Sequence, residues 1–248
     1  IPKGLVGSEM CIRDRYNDAS TASDSFTGHL SDWRVVRGTA ITPSPPTTPL
    51  TSVTNTSLLL PFDDAAIIDK SQSTKTLTIF GNTKSSTTQT KFLSSSMYFD
   101  GAGDYLSADD NNVGDFGTQD FTAEGWFYLT ASPSNYIAVC ETRASAATTA
   151  GWTIAINAAG SFYIYSGAFI CQASNSSISS NTWYHWAYSR ASGSHRLYLN
   201  GTQVGSTSTT SRDYTDTNFR IAGNYTGSEL FTGSVSYTHL TLPTMDHV

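Results

Sequence analysis

Polar and apolar residues alternate with a period of two along most of this chain. In DFTAEGWFYL, Asp120 to Leu129, one face of an extended strand carries Phe121, Ala123, Gly125, Phe127 and Leu129, and the other carries Thr122, Glu124, Trp126 and Tyr128. Aromatics on both faces imply a strand that is covered on both sides or lines a groove. Three more blocks share this pattern, each bounded by Gly, Asp or Asn: SMYFDGAGDYL (Ser96 to Leu106), NTWYHWAYSR (Asn181 to Arg190) and RLYLNGTQVG (Arg196 to Gly205). WTIAIN, then Ala158-Ala159-Gly160, then SFYIYS predicts a hairpin with Trp152, Ile154 and Ile156 facing inward. A second hairpin turns at Asn200-Gly201, a pair that tolerates the positive φ angles of a two-residue type I′ turn. Helical periodicity is almost absent. The pattern therefore predicts an all-β, antiparallel two-sheet sandwich of the jelly-roll kind.

One stretch breaks the pattern. AITPSPPTTPLTSVTN, Ala40 to Asn55, holds four of the eight prolines and no charge, and reads as an extended Pro/Thr linker over residues 40–56. Ahead of it, FTGHLSDWRVVRG (Phe26 to Gly38) reads as a strand with Leu30, Trp33 and Val35 among its apolar positions. Its opening triplet, Phe26-Thr27-Gly28, recurs as Phe231-Thr232-Gly233, 231 − 26 = 205 residues on.

Both ends read differently from the middle. GLVGSEMCIRDR (Gly4 to Arg15) and VSYTHLTLPT (Val235 to Thr244) resemble translations of adaptor DNA from transposase-based sequencing libraries, so residues 1–15 and 234–248 are set aside as artefacts of processing. That leaves 248 − 30 = 218 residues, enough for one large all-β domain with a proper core. The excluded ends remove three basic residues (Lys3, Arg13, Arg15) and three acidic ones (Glu9, Asp14, Asp246), so the net charge stays at −6. A chain this acidic is poorly suited to gripping nucleic-acid phosphates, and no apolar run approaches membrane-spanning length. Cys140 and Cys171 lie in apolar runs and read as buried thiols, with no disulfide framework indicated.

Taken in order, the blocks resemble the laminin-G-like members of the concanavalin A-like lectin and glucanase superfamily. The matching positions are Leu58 to Asp63, Phe99-Asp100-Gly101 with Asp104-Tyr105, Asp120 to Trp126, Trp183-Tyr184-His185 and Leu197 to Gly201. The resemblance implies one jelly-roll domain over residues 57–233. The family's closing strand begins with an aromatic residue and Gly, and here that pattern falls on Phe26-Thr27-Gly28 through Arg34, upstream of the linker. Residues 16–39 are then expected to be the last strand of a preceding repeat in a tandem array. That strand is expected to fold back beside Leu58 to Phe62, since an unpaired sheet edge is costly.

Site chemistry follows from the same residues. Glucanases on this fold use closely spaced carboxylates. Outside the excluded ends the glutamates are Glu124, Glu141 and Glu229, none within ten residues of another, so catalysis is not expected. His29, His185 and His195 show neither metal nor triad spacing, and His185 reads as a packed strand histidine. The resemblance implies one structural calcium between the first and last strands. Asp63 and Asp32 are the matching carboxylates, and Asp100 lies on a Gly-rich turn suited to oxygen ligation; the plainer alternative is solvated turn aspartates. Tyr163 and Tyr165 share a face and are candidates for stacking on a sugar ring, with cross-strand packing as the alternative. The expected function is a non-catalytic binding or adhesion module for glycan or protein, with neighbouring repeats of the same chain as further partners. Its expected setting is a secreted, cell-surface or phage-fibre-like virion-surface protein. A structural spacer and a glucanase-like enzyme are the competing readings.

Overall fold

The structure, a computed structural model, describes residues 26–62, 67–71, 74–108, 113–174, 176–216 and 218–226. These residues form strands and loops with no helix among them. The strands are β1 (Thr27–Arg37), β2 (Thr56–Leu60), β3 (Leu77–Phe80), β4 (Lys84–Ser86), β5 (Ser96–Asp100), β6 (Tyr105–Ala108), β7 (Phe121–Leu129) and β8 (Ile137–Glu141). They continue as β9 (Thr153–Ile156), β10 (Phe162–Tyr165), β11 (Phe169–Ala173), β12 (Trp183–Ala191), β13 (Ser194–Leu199), β14 (Thr202–Ser208) and β15 (Arg220–Ile221). Two antiparallel sheets result. One runs β14-β13-β12-β7-β1-β5-β4 with β2 also paired to β1, and the other runs β11-β10-β9-β8-β15-β6-β3.

Period-two alternation supplies the core. Phe121, Ala123, Phe127 and Leu129 of β7 point inward together with Trp186 and Tyr188 of β12, and meet Ile154, Ile156, Phe162 and Ile164 of the opposite sheet. Both predicted hairpins form. Ile156 pairs with Phe162, and Leu199 pairs with Thr202 across Asn200 (φ 49°) and Gly201 (φ 76°), both positive as a type I′ turn requires.

β1 lies in the middle of its sheet. It pairs with β7 from Gly28↔Leu129 to Arg37↔Phe121, and on its other edge with β5 (Thr27↔Asp100 to Leu30↔Met97) and with β2 (Trp33↔Leu60, Arg34↔Leu59, Val35↔Leu58). Phe26, Leu30, Trp33, Val35 and Val36 are all fully buried. At about 1.5–3 kcal/mol for each such side chain, β1 carries burial comparable to the whole net stability of a domain.

Strict alternation cannot put both Leu30 and Trp33 in the core, because they are three residues apart. A bulge between Ser31 and Arg34 resolves this, with Asp32 at φ 46°. Two residues of β1 then stand opposite the single Gly125 of β7. Trp33 turns inward over that glycine and meets Trp186 edge-on, with ring centroids 4.9 Å apart. A Cβ on Gly125 would lie 2.8 Å from Trp33 Cδ1, so only glycine fits beneath the indole.

The Pro/Thr stretch lies across the outer face of the β1-containing sheet as a strap. Gly38 N–H donates to Asp120 O (2.7 Å), Ile41 N–H to Thr122 Oγ1 (2.9 Å), and Leu50 N–H to Asp32 Oδ1 (3.1 Å), while Arg34 Nη1 donates to Thr51 O (2.9 Å). Between these anchors Pro45 packs on Gly201, where a Cβ would lie 2.2 Å from the proline Cδ. From the other direction Phe92 meets Trp126 edge-on, and Lys91 Nζ sits 4.0 Å over the same ring. All nine residues of β7 are buried as a result, on both faces.

Candidate functional site

Three groups of polar or aromatic residues stand out, and the first lies beneath the strap. Glu124, on the outer face of β7, is ion-paired with Arg34 of β1, whose Nε donates to Glu124 Oε1 at 3.1 Å. His185 Nε2 of β12 lies 3.3 Å from Glu124 Oε2, near enough for an ion pair although not aligned as a hydrogen bond. Burial pushes the Glu124 carboxyl upward, but the contact with His185 and the charge of Arg34 outweigh it and hold it below the usual carboxylate range. Trp126 Nε1 and His185 Nδ1 are buried here with no hydrogen-bond partner among the described residues. His185 is therefore a packed strand histidine that also faces a carboxylate. That second feature was readable only as the shared outward parity of Arg34, Glu124 and His185 on three strands whose adjacency the sequence did not show.

The second group is the Gly-rich turn after β5. Asp104 is buried, and it accepts from Asn82 N–H (2.7 Å) and Asp100 N–H (2.8 Å). Burial first, and then the neighbouring Asp100 carboxylate, push its pKa up to about 7. Asp100 itself accepts from Ala102 N–H at 2.7 Å, closing the turn.

These contacts bear on the expected calcium ligands. Asp32 accepts from Leu50 N–H and from the Ser31 hydroxyl, and so serves the strap and the bulge. Asp100 pairs with Thr27, five positions before Asp32 on the same strand, a separation of roughly 16 Å at ~3.3 Å per residue. Asp32 and Asp100 thus do not share a site, and Asp63 lies outside the described residues. No three His, Cys, Asp or Glu among the described residues come together as metal ligands.

The third group is aromatic and lies on the outer face of the seven-stranded sheet. Strand registers place Phe169, Tyr165, Thr153, Glu141, Arg220 and Ser107 in one line across β11, β10, β9, β8, β15 and β6, about 24 Å long at ~4.8 Å per strand. The middle of the line is closed. Arg143 grips buried Glu141 through Nε–Oε1 (2.7 Å) and Nη2–Oε2 (2.8 Å). The aromatic end is open. Phe169 is 54% exposed, more than any other large apolar side chain among the described residues. Tyr163 and Tyr165 flank its ring edge-on, at centroid distances of 5.1 and 5.5 Å. Tyr163 is itself buried and stacks on Tyr136 (6.1 Å), whereas Tyr165 is half-buried beneath the Arg143 guanidinium. The two sequence candidates therefore do come together, Tyr163 as support and Tyr165 at the surface. Phe169, the most exposed of the group, was missed; AFIC reads as an apolar run, and only the irregularity between Ile164 and Tyr165 sets Phe169 beside Tyr165.

A separate cleft of about 500 Å³ is lined by Arg37, Gly38, Asn55, Thr56, Ser57, Lys75 and Gln119. It holds no aromatic ring, so a ligand there would mostly exchange hydrogen bonds with water for hydrogen bonds with protein, a small net gain.

Two antiparallel sheets closed face to face over one aromatic core define a jelly-roll sandwich. The chain belongs to the concanavalin A-like lectin/glucanases superfamily: the family model for its laminin G type matches residues 100–240, more than half of the 248. Among solved structures, it is similar to domain 4 of AbnA, a GH43 extracellular arabinanase from Geobacillus stearothermophilus, in complex with arabinotriose. That likeness has 16% sequence identity and a TM-score of 0.43, and covers 63% of this chain and 78% of that one. No curated protein matches the chain.

Proposed function

We propose that this domain is a non-catalytic recognition module that binds a glycan, in a secreted, cell-surface or virion-surface protein. The observation that carries the reading is the open aromatic end of the seven-stranded sheet. Phe169 is exposed yet held at a fixed angle by Tyr163 and Tyr165. An exposed ring on rigid supports offers the apolar face of a sugar a preorganised contact at little entropic cost.

The carboxylates support a role without catalysis. Glu124 and Glu141 lie on different sheets, and each is tied to its own arginine in a buried pair. Retaining and inverting hydrolysis both need two carboxyl groups facing each other across the substrate. Glu229 lies outside the described residues.

Glycan-array binding of the whole chain, followed by titration of the best saccharide, tests the reading. Phe169→Ala should weaken binding roughly tenfold, about 1.4 kcal/mol, with an unchanged melting temperature because the ring is largely exposed. Failure to bind any saccharide, with or without calcium, would instead favour the structural spacer.

A further inference from the structure

Among the exposed large apolar side chains of the described residues, two are aromatic, Phe169 and Phe80. They stand on the two end strands of the same sheet, β11 and β3. The line of outward residues that starts at Phe169 passes from Ser107 to its partner Thr78, and Phe80 lies two residues further along β3, on the same face. Seven strands give 7 − 1 = 6 spacings between β11 and β3, roughly 29 Å at ~4.8 Å each.

Phe80, like Phe169, is fixed by its neighbours. Its ring stacks on Tyr105 with centroids 4.2 Å apart and planes 8° from parallel, and the Arg220 guanidinium lies 5.3 Å over the same tyrosine. Cations and rings occupy the interval between the two ends. Arg143 lies 5.4 Å over Tyr165 and 5.3 Å over Tyr225. Arg220 Nη1 donates to Asn224 O at 2.5 Å, beside Tyr225, while its Nε and Nη2 have no acceptor among the described residues. The face is thus aromatic at both ends and rich in donors between them. A protein partner calls for the opposite arrangement, an apolar centre with a polar rim. A sugar chain presents apolar ring faces for stacking and hydroxyl edges for charge-assisted hydrogen bonds, which is what this face can meet.

We infer that the Phe80–Tyr105 pair is a second saccharide platform, and that the two platforms together take the interior of a long linear polysaccharide laid across the strands. This rests on the glycan reading above and names its ligand as a chain rather than a terminal sugar. Because β11 and β3 are the end strands of the sheet among the described residues, a chain can run on past either ring. Contact with one platform makes contact with the other intramolecular, so affinity rises steeply once a chain is long enough to span both.

Calorimetric titration of the whole chain with laminari-, xylo-, manno- and galacturono-oligosaccharides, each at two and at eight sugars, tests the inference. In at least one series the eight-sugar form should bind at least about tenfold more tightly than the two-sugar form. Phe80→Ala and Phe169→Ala should each remove that advantage, with melting temperatures unchanged, and Phe80→Tyr, which keeps a ring, should retain it. Equal affinity for both lengths, or a Phe80→Ala chain that keeps the advantage, overturns the inference; the glycan reading then stands as long as Phe169→Ala still weakens binding. No binding in any series overturns the inference, and no binding anywhere on a glycan array overturns the glycan reading as well. Self-association that Phe80→Ala abolishes in sedimentation would put a second copy of the chain on this platform, which also overturns it.

Discussion

Arg34 and Glu124 offer a measurable account of what the strap conceals. The pair is almost dry, with side-chain exposures of 11% and 3%. In Arg34→Met the carboxylate remains buried while its main counter-charge is gone. Removing one partner of a buried pair costs about 3–5 kcal/mol, because the remaining charge keeps its desolvation penalty. For a domain of this size that corresponds to a melting temperature lower by roughly 6–20 °C.

The sign of the pH dependence distinguishes this cause from simple loss of packing. In the wild type, Glu124 lies below its ordinary value, so its contribution is present above the unfolded pKa and is lost as pH falls through the folded one. Without Arg34, the upward push of burial on Glu124 loses a main opponent, and its carboxyl would take up a proton at a pH where the unfolded chain's is ionised. The variant should therefore gain stability relative to wild type as pH falls from 8 toward 5, by at most about 1.4 kcal/mol per unit. Arg34→Met with Glu124→Gln should recover most of the loss, since a neutral pair leaves no buried charge. Urea melts at half-unit steps of pH would decide the matter. A deficit below about 1 kcal/mol, or one that is constant from pH 5 to 8, would refute the argument.

Other expectations follow from single sites. Gly125→Ala places a Cβ 2.8 Å from the Trp33 indole and should destabilise by about 1–3 kcal/mol through overpacking, read from a urea midpoint shifted at constant slope. Burial lowers His29 and His195 to about 4 and raises Asp104 to about 7. The unfolded chain then binds more protons at the two histidines between pH 4 and 6.5, and the native chain binds more at Asp104 between pH 4 and 7. These three groups together should make stability rise with pH above about 4 and level off near pH 7, and Asp104→Ala, which removes the opposing group, should steepen that rise in the same melts. Cys140 and Cys171 are buried with their thiols raised, Cys171 to about 11, so neither should react with a thiol reagent until the chain unfolds.

Much of the fold was legible because its signal is local. The inward set of β7, the hairpin facing of Trp152, Ile154 and Ile156, and the Asn200-Gly201 turn each depend on parity or on the φ tolerance of one or two residues. The bulge at Asp32 was not legible in the same way. Leu30 and Trp33 in one strand violate alternation, and the resolution requires Gly125, some ninety residues away, to yield space. The same limit hid the Glu124 cluster, whose members come from three strands. Of the proposed ligand surface, the tyrosine pair at i and i+2 was visible by parity, whereas Phe169 depends on an irregular register. The structural roles of the aspartates were not legible either, because Asp32, Asp69 and Asp104 all accept buried backbone N–H groups that no sequence pattern records.

The composition of the strap makes physical sense once its position is known. The outer side of β7 carries Thr122, Glu124, Trp126 and Tyr128, too much aromatic surface to leave wet. A covering segment that joins no ladder must bury few backbone donors of its own, and proline has none. Four prolines between Ile41 and Leu50 reduce the number, and two of the N–H groups that remain find Thr122 Oγ1 and Asp32 Oδ1. A Pro-rich stretch that reads as an extended linker is thus equally a low-donor lid for a sheet. With that face sealed on one side by the strap and on the other by Phe92 and Lys91, the exposed aromatic end around Phe169 is where a saccharide would meet fixed rings without first displacing protein.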